Sequence, residues 1–552
     1  MPLLTHGPLV GATTDSTVSI WLRADGEGEA EVRLAPSADS LNDNSAVRAT
    51  AVLKKENDFT GTLSFSDLSS DTAYHYTVLL DGQAALGAEF EGQASFRTFP
   101  VREAQAESFA FAFGSCFIPT LHTDEIFNNL VSAEGESDAR FFLMIGDNVY
   151  VDNYIDRRNQ TAAPPAESLL ALYREAYRES WKYPIFRRAL MQTPSFMIFD
   201  DHEFWNNWHN SAVHQHDREG FPAAVQAYRE YQDSHNPDAG QRHAREEPAY
   251  HYTFSYGEDI GFFVLDCRIR RNPDAIPFPT ILGDEQRQAL YQWLRDNNNR
   301  YRLKFIVSSV PISFITLPHK IVQLLHGVLG DQWLGYPEER LELFKFIQHE
   351  GIEGVHFLSG DIHLGQGLVI EADEAKPGPT VYSYTSSPLA NAFHLFPEQT
   401  PGWFSIAFWV IAGLILGWLA ARYVFDVSAG WGLLAGLLGG GIAAWLWNRR
   451  RERRESQPKV KSGRIEDILF RMLRWMAQQR YMRKLMGVAD DTIKGGSVHY
   501  VPDNLFTAVQ DYNMGIVTVT RTSQDGPLTV QFKLVNAQGE TLAEEPDGHS
   551  VV

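Results

Sequence analysis

The sequence predicts a layered α/β core preceded by a small antiparallel β-sandwich and interrupted by an apolar transmembrane helical hairpin. Three observations carry this reading. From residue 109 onward, apolar runs of strand length (FAFAFGSC, RFFLMIGD, SFMIFDDH, IGFFVLDC, LKFIVSSVP, GVHFLSGD, TVYSYTSS) alternate with amphipathic stretches such as ESLLALYREAYRESW and EERLELFKFIQHE. Residues 1–100 instead carry short alternating runs (STVSIWLRAD, EAEVRLAP, GTLSFSDL, YHYTVLLDG, ASFRTFP) separated by Gly, Asp, Asn and Ser, the pattern of half-buried strands joined by turns. Segments 403–421 and 429–447 are each apolar over the roughly 20 residues that span a bilayer as helix, with Trp at their edges.

The first element, 1–100, contains LSSDTAYHYTVLLDG, which resembles the late strand pair of fibronectin type III domains, with Tyr74 as the tyrosine that caps the sheet corner. The polar stretch VREAQAES at 101–108 marks its end, and no chemistry is evident before it. The α/β core then runs over 108–395, and residues 495–552 return to it as a β-rich tail. In open α/β sheets ligands bind beyond the C-terminal ends of strands, so polar strings found there converge on one place.

The hairpin, 403–447, has a short connection (RYVFDVS) and exits into NRRRERR, whose arginines mark the cytoplasmic side under the positive-inside rule. Both flanks then return to that side, which predicts an integral membrane protein with its core facing the cytoplasm. The alternative is a pair of buried helices, since Gly439, Gly440 and Gly441 weaken the second segment. Residues 448–487 carry thirteen Lys or Arg against four Asp or Glu, a local balance of +9. This segment is either an amphipathic interfacial helix on an anionic lipid surface or a helix docked on the protein itself.

With 552 residues, 44% of them hydrophobic, the chain buries two or three cores. A net charge of -21 excludes a general nucleic-acid binder, because phosphate backbones are held by clustered Lys and Arg. The two cysteines, Cys116 and Cys267, each end an apolar run and imply no disulfide framework. The N-terminus MPLLTHGPLVGATTDS lacks a basic leader, which predicts a cytoplasmic start.

Four strings follow strand-like runs: GSC at 114–116, GDNVYVD at 146–152, FDDHE at 199–203 and SGDIH at 359–363. Gly146 lets backbone approach closely, and Asp147 and Tyr150 share one loop within reach of one metal ion. Asp200, Asp201 and His202 in succession are expensive beside apolar FMIF unless a cation or catalysis compensates them. Asp361 and His363, two apart on extended chain, point the same way and suit adjacent ligation. Cys116 taken alone is an inert core thiol.

Taken in order, GSC, GDNVYVD, DDHE with Asn206 and Asn207, LDCRIRR and GDIH resemble the PhoD-type alkaline phosphatases, a branch of the calcineurin-like metallophosphoesterases. The resemblance covers 108–391 and resumes at 495–520. It implies that Cys116, Asp147, Tyr150 and His363 bind Fe(III). Asp147 would bridge to a second divalent metal, usually calcium, held also by Asp201 and Asp361. Phenolate and thiolate suit a trivalent transition metal, whereas carboxylates suit a hard cation. Cys116 and Asp201 replace the Asp-x-His and Gly-Asn-His of the ordinary superfamily pattern, as in the PhoD branch. Asp200 or Asp201 is the direct ligand, with Asp201 in the position just before the histidine.

Two such cations lower the pKa of a shared water, which attacks phosphorus in line with the leaving oxygen. His202 is the expected stabiliser or proton donor for the departing alkoxide, its ring oriented by Asp200 or Glu203. Arg268 is expected to hold phosphate oxygens, with Arg271 as second choice, and the alternative for Arg268 is a salt bridge to Asp266 or a neighbouring loop. Asn206 and Asn207 add neutral donors or cap the following turn. The segment containing Asp331, Trp333 and Tyr336 resembles one that approaches the active-site mouth, and the apolar positions 321–329 before it either cover a lipid-facing entrance or pack on the hairpin. The expected function is hydrolysis of phosphate mono- or diesters, with lipid-linked phosphoesters among the substrates. The alternatives are a phospholipase D-like phosphodiesterase or an inactive membrane scaffold.

Overall fold

The computed structural model describes residues 1–90, 92–119, 124–131, 139–151, 166–209, 220–313, 331–372, 378–390, 498–500, 507–509, 512–521, 523, 526–545 and 548–551. Within them the protein is mixed α/β, built on four sheets.

Two stacked sheets form the centre. In one, the parallel strands Ser195–Ile198, Ala139–Ile145 and Phe109–Gly114 lie side by side, continued antiparallel by Met514–Arg521, Leu528–Val535 and Thr541–Glu544. In the other, Ile260–Val264, Leu303–Ser308, Val355–Ser359 and Val381–Thr385 run parallel, flanked by the antiparallel strands Tyr252–Tyr256 and Gly365–Ala372. Strand side chains alternate between faces, and adjacent phenylalanines show the consequence. Phe141 faces the second sheet and meets Phe262 edge-on at 5.4 Å, whereas Phe142 faces the other way onto Phe127, which packs on Phe186 of the helix Pro184–Gln192. In the second sheet Phe262 points inward and Phe263 outward onto Trp293 of the helix Gly283–Asp296. The four layers are therefore helix, sheet, sheet, helix. Each such fully buried phenylalanine stabilises the stack by about 1.5–3 kcal/mol.

The amino-terminal residues form the other two sheets. Leu4–Thr13, Val18–Ala24 and Thr60–Phe65 make one, and Val47–Leu53, Gly28–Ala35, Ala73–Leu80, Gln83–Ala84 and Ser95–Arg97 the other. Val18, Ile20 and Leu22 point into a core shared with Val32, Leu34 and Val78. Trp21, on the opposite face, packs edge-on against Trp181 and donates its indole N–H to the Glu230 carbonyl, so this sheet is buried on both sides. The Tyr74 hydroxyl accepts the backbone N–H of Ser69, fixing the turn before its own strand.

The expected integral-membrane placement is corrected: among the described residues no helix is long and apolar enough to cross a membrane. The hairpin 403–447, the basic segment 448–487 and the apolar positions 321–329 lie outside the described residues.

Candidate metal centre

Parallel strands from both central sheets end at one edge, and the polar strings are their continuations. Gly114 leads into Cys116, Ile145 into Asp147, Ile198 into Asp200 and Asp201, and Ser359 into Asp361 and His363. The backbone there is strained. Cys116, Asp147, Asn207, Asp361 and His363 have φ of 61°, 52°, 57°, 68° and 50°. Left-handed backbone at non-glycine residues is costly and clusters at functional sites. Gly146 must be glycine, since its φ is 105° and a Cβ would sit 2.6 Å from the Asp200 Cβ.

Three clusters of potential ligands form here, and Asp147 belongs to every one: with Cys116 and His363, with Asp201 and His202, and with Asp200, Asp201 and Asp361. Asp147 Oδ2 lies 3.3 Å from Cys116 Sγ and accepts the Tyr150 hydroxyl at 3.1 Å, and Tyr150 Oη is 3.2 Å from His363 Nε2. Asp147 Oδ1 accepts the His202 backbone N–H, and the His202 ring lies over Tyr150 with centroids 4.1 Å apart. Asp361 and His363 are only partly buried and give the site its open side.

Asp200 and Asp201 differ in what holds them. Asp200 takes the Arg268 fork through both oxygens and the Ser309 hydroxyl at 2.7 Å. Asp201 accepts the Asn207 backbone N–H at Oδ2, whereas its buried Oδ1 has no hydrogen-bond partner and only an ion-pair approach from Arg268 at 3.3 Å. Arg268 itself is fully buried, and its guanidinium also pairs with both oxygens of Asp331 at 2.6 and 2.8 Å. The fork is thus paired with carboxylates, as in the expected alternative of a salt bridge to a neighbouring loop, and Asp266 accepts its backbone N–H instead of its side chain. Arg271 likewise donates to Asp331 at 2.6 Å. Asn206 and Asn207 are exposed on the turn after the cluster.

Glu203 does more than orient a ring. Its carboxylate accepts four N–H donors, from the backbone of Asp147, Asn148 and Asp200 and from the Gln232 amide, at 2.7–3.1 Å. It therefore locks the Asp147 loop to the Asp200 loop. Burial nevertheless pushes its carboxyl up to about 7. Sequence reasoning assigned no role to Gln232, Ser309 or Ser387. Ser309 and Ser387 stand where the apolar strands Leu303–Ser308 and Val381–Thr385 end, whereas Gln232 follows the helix Phe221–Tyr231 and carries no such signal.

Electrostatically the cluster is incomplete. Burial, then the Cys116 charge, drives the Asp147 carboxyl well above the carboxylate range. Burial and the charges of Asp200, Asp331 and Asp201 do the same to Asp361. Burial raises Asp200 even against Arg268. For Asp201 burial acts upward too, but Arg268 and His202 outweigh it and hold the group low. Burial and Asp361 push the Cys116 thiol up to about 12. A multivalent cation reverses each upward shift, and the mixed sulfur, phenol, imidazole and carboxylate donors fit metal ions.

The family model described as PhoD-like phosphatase matches residues 111–390, 280 of the 552 residues, and the chain belongs to that family. Residues 1–95 match a domain of unknown function (DUF7800). Alkaline phosphatase D of Bacillus subtilis (strain 168) is 24% identical over 322 residues, covering 54% of this chain and 53% of the relative. The match thus spans about half the length of that curated relative. A solved structure titled "Structure of PhoD" superposes with a TM-score of 0.55 at 18% identity, covering 69% of this chain and 76% of that one, and establishes the shared fold.

Proposed function

We propose that the chain is a metal-dependent hydrolase of phosphate monoesters or diesters. The carrying observation is that Asp147 lies in all three ligand clusters, as a carboxylate bridging two cations must. Cys116, Asp147, Tyr150 and His363 would hold Fe(III). Asp147, Asp201 and Asp361 would hold a second divalent ion, calcium by the chemistry of an all-carboxylate set. The free Oδ1 of Asp201 and the commitment of Asp200 to Arg268 and Ser309 support Asp201 as the ligand. When bound, the two ions would supply Lewis acidity and lower the pKa of a water enough for hydroxide to be available as the nucleophile near neutral pH.

The chain's own groups do the rest. His202, partly exposed above Tyr150, is placed to give a proton to the leaving oxygen. Arg268 neutralises Asp200 and Asp331, which keeps the second site from accumulating more negative charge than two cations offset. Glu203 fixes the distance between the Asp147 and Asp200 loops. The costly buried acids favour this reading over an inactive scaffold, which has no use for them. A panel of phosphate monoesters and diesters, phospholipids included, assayed with and without a chelator, tests it. Hydrolysis lost on chelation and restored by iron with calcium is expected; a rate indifferent to chelation, or no turnover by metal-loaded protein anywhere in the panel, would overturn it.

A further inference from the structure

Two serines lie against the Cys116 sulfur in matching ways. Ser115 Oγ is 3.2 Å from Sγ and accepts the Asp361 backbone N–H at 3.0 Å. Ser387 Oγ is 3.1 Å from Sγ and accepts the His363 backbone N–H at 3.1 Å. Both serines are fully buried. Each hydroxyl has one proton, and a sulfur serving as ligand has none to give, so both O–H groups donate to it. Ser387 sits on the turn after Val381–Thr385, pinned by the Asn513 amide on its carbonyl at 2.7 Å. Ser115 is pinned because Leu389 donates its N–H to the Ser115 carbonyl at 2.8 Å. Gly360 makes room for it, since a Cβ there would collide with the Ser115 hydroxyl.

We propose that Ser115 and Ser387 are positioning residues for the metal centre, each relaying a backbone N–H of the Asp361–His363 turn onto the Cys116 sulfur. Two O–H donors fix the direction of the sulfur lone pairs and draw electron density from them. Hydrogen bonds to a ligating sulfur weaken its donation and raise the potential of the metal it binds. The relay also couples the ligand turn to the sulfur: a shift of Asp361 or His363 reaches Cys116 through one hydroxyl. This rests on the reading of Cys116 as a metal ligand.

The test uses the full chain loaded with Co(II), whose thiolate charge-transfer absorption reports sulfur donation directly, in wild type, Ser115→Ala, Ser387→Ala and the double variant. Circular dichroism checks that each variant is folded, and Ser387→Thr tests rescue by a hydroxyl. The expected results are a shift of the band to lower energy in each single variant, a larger shift in the double, Co(II) binding weakened about 10-fold, and recovery of the band position in Ser387→Thr. A wild-type band that stays in place when both serines are removed overturns the relay while leaving Cys116 a ligand. Absence of any thiolate band in Co(II)-loaded wild type overturns the ligand reading and the relay with it.

Discussion

Two buried acidic clusters in this molecule are built on opposite principles. Asp233 is fully buried, yet every demand is met inside the protein: Arg242 donates to both its oxygens at 2.7 and 3.1 Å, and Asn236 and His243 complete the set. Against the cost of burial, Arg242 and His243 bring its carboxyl down to about 2. At the strand ends, Asp147, Asp200, Asp201 and Asp361 lie together, and Arg268 pairs with Asp200 and Asp201 while its fork also serves Asp331. Three of the four have their carboxyls raised. The first cluster is finished as folded, and the second lacks positive charge that cations supply.

The largest separation of the two should come from Asp361→Asn. Loss of a ligand carboxylate removes several kcal/mol of transition-state stabilisation, so kcat/KM on the best phosphoester should fall at least about 1000-fold. In chelated protein the same change relieves repulsion, and urea unfolding should show stability unchanged or increased. Asp233→Asn should behave in the opposite sense, costing about 3–5 kcal/mol because Arg242 is left buried without its partner. If both substitutions destabilised chelated protein equally, the distinction between the clusters would collapse.

Acid unfolding sharpens the contrast. A carboxyl lowered on folding contributes stability that is complete above its unfolded value and lost as pH falls toward the folded one. For Asp233 that window runs from the ordinary value of 3.8 down to about 2, worth about 2 kcal/mol. His235, driven down to about 3 by burial, adds a loss of the same sign that begins below 6.5. In chelated protein followed by fluorescence from pH 7 to 2, His235→Gln should therefore lose less stability than wild type below pH 6.5, while His6 and His251, each lowered to about 4 by burial, keep the rest of that loss in both proteins. The smallest effect is expected from Glu203→Gln, which replaces one acceptor by a donor facing backbone N–H groups: metal affinity, titrated calorimetrically, should weaken about 10-fold while the fold persists.

The strings at the strand ends were legible because each combines an apolar run with a glycine or an abrupt change to acids. That suffices to place Cys116, Asp147, Asp201 and Asp361 near one another in a layered sheet. What was not legible was who neutralises whom. Arg268 looked available for substrate, and only folding brings Asp331, 63 residues away, onto its fork. Ser115 and Ser387 are 272 positions apart and ordinary as residues, and their meeting at one sulfur depends on the strand order of two sheets. The antiparallel strand Met514–Arg521 beside Phe109–Gly114 is equally long-range, set by pairing rather than by local pattern.

The most direct test of the central claim is metal content by elemental analysis, in wild type and Asp147→Asn purified side by side and incubated with iron and calcium. A carboxylate shared by all the ligand clusters predicts about two ions per wild-type chain and loss of both in the variant. Wild-type protein that binds neither ion, or a variant that keeps both, would contradict it.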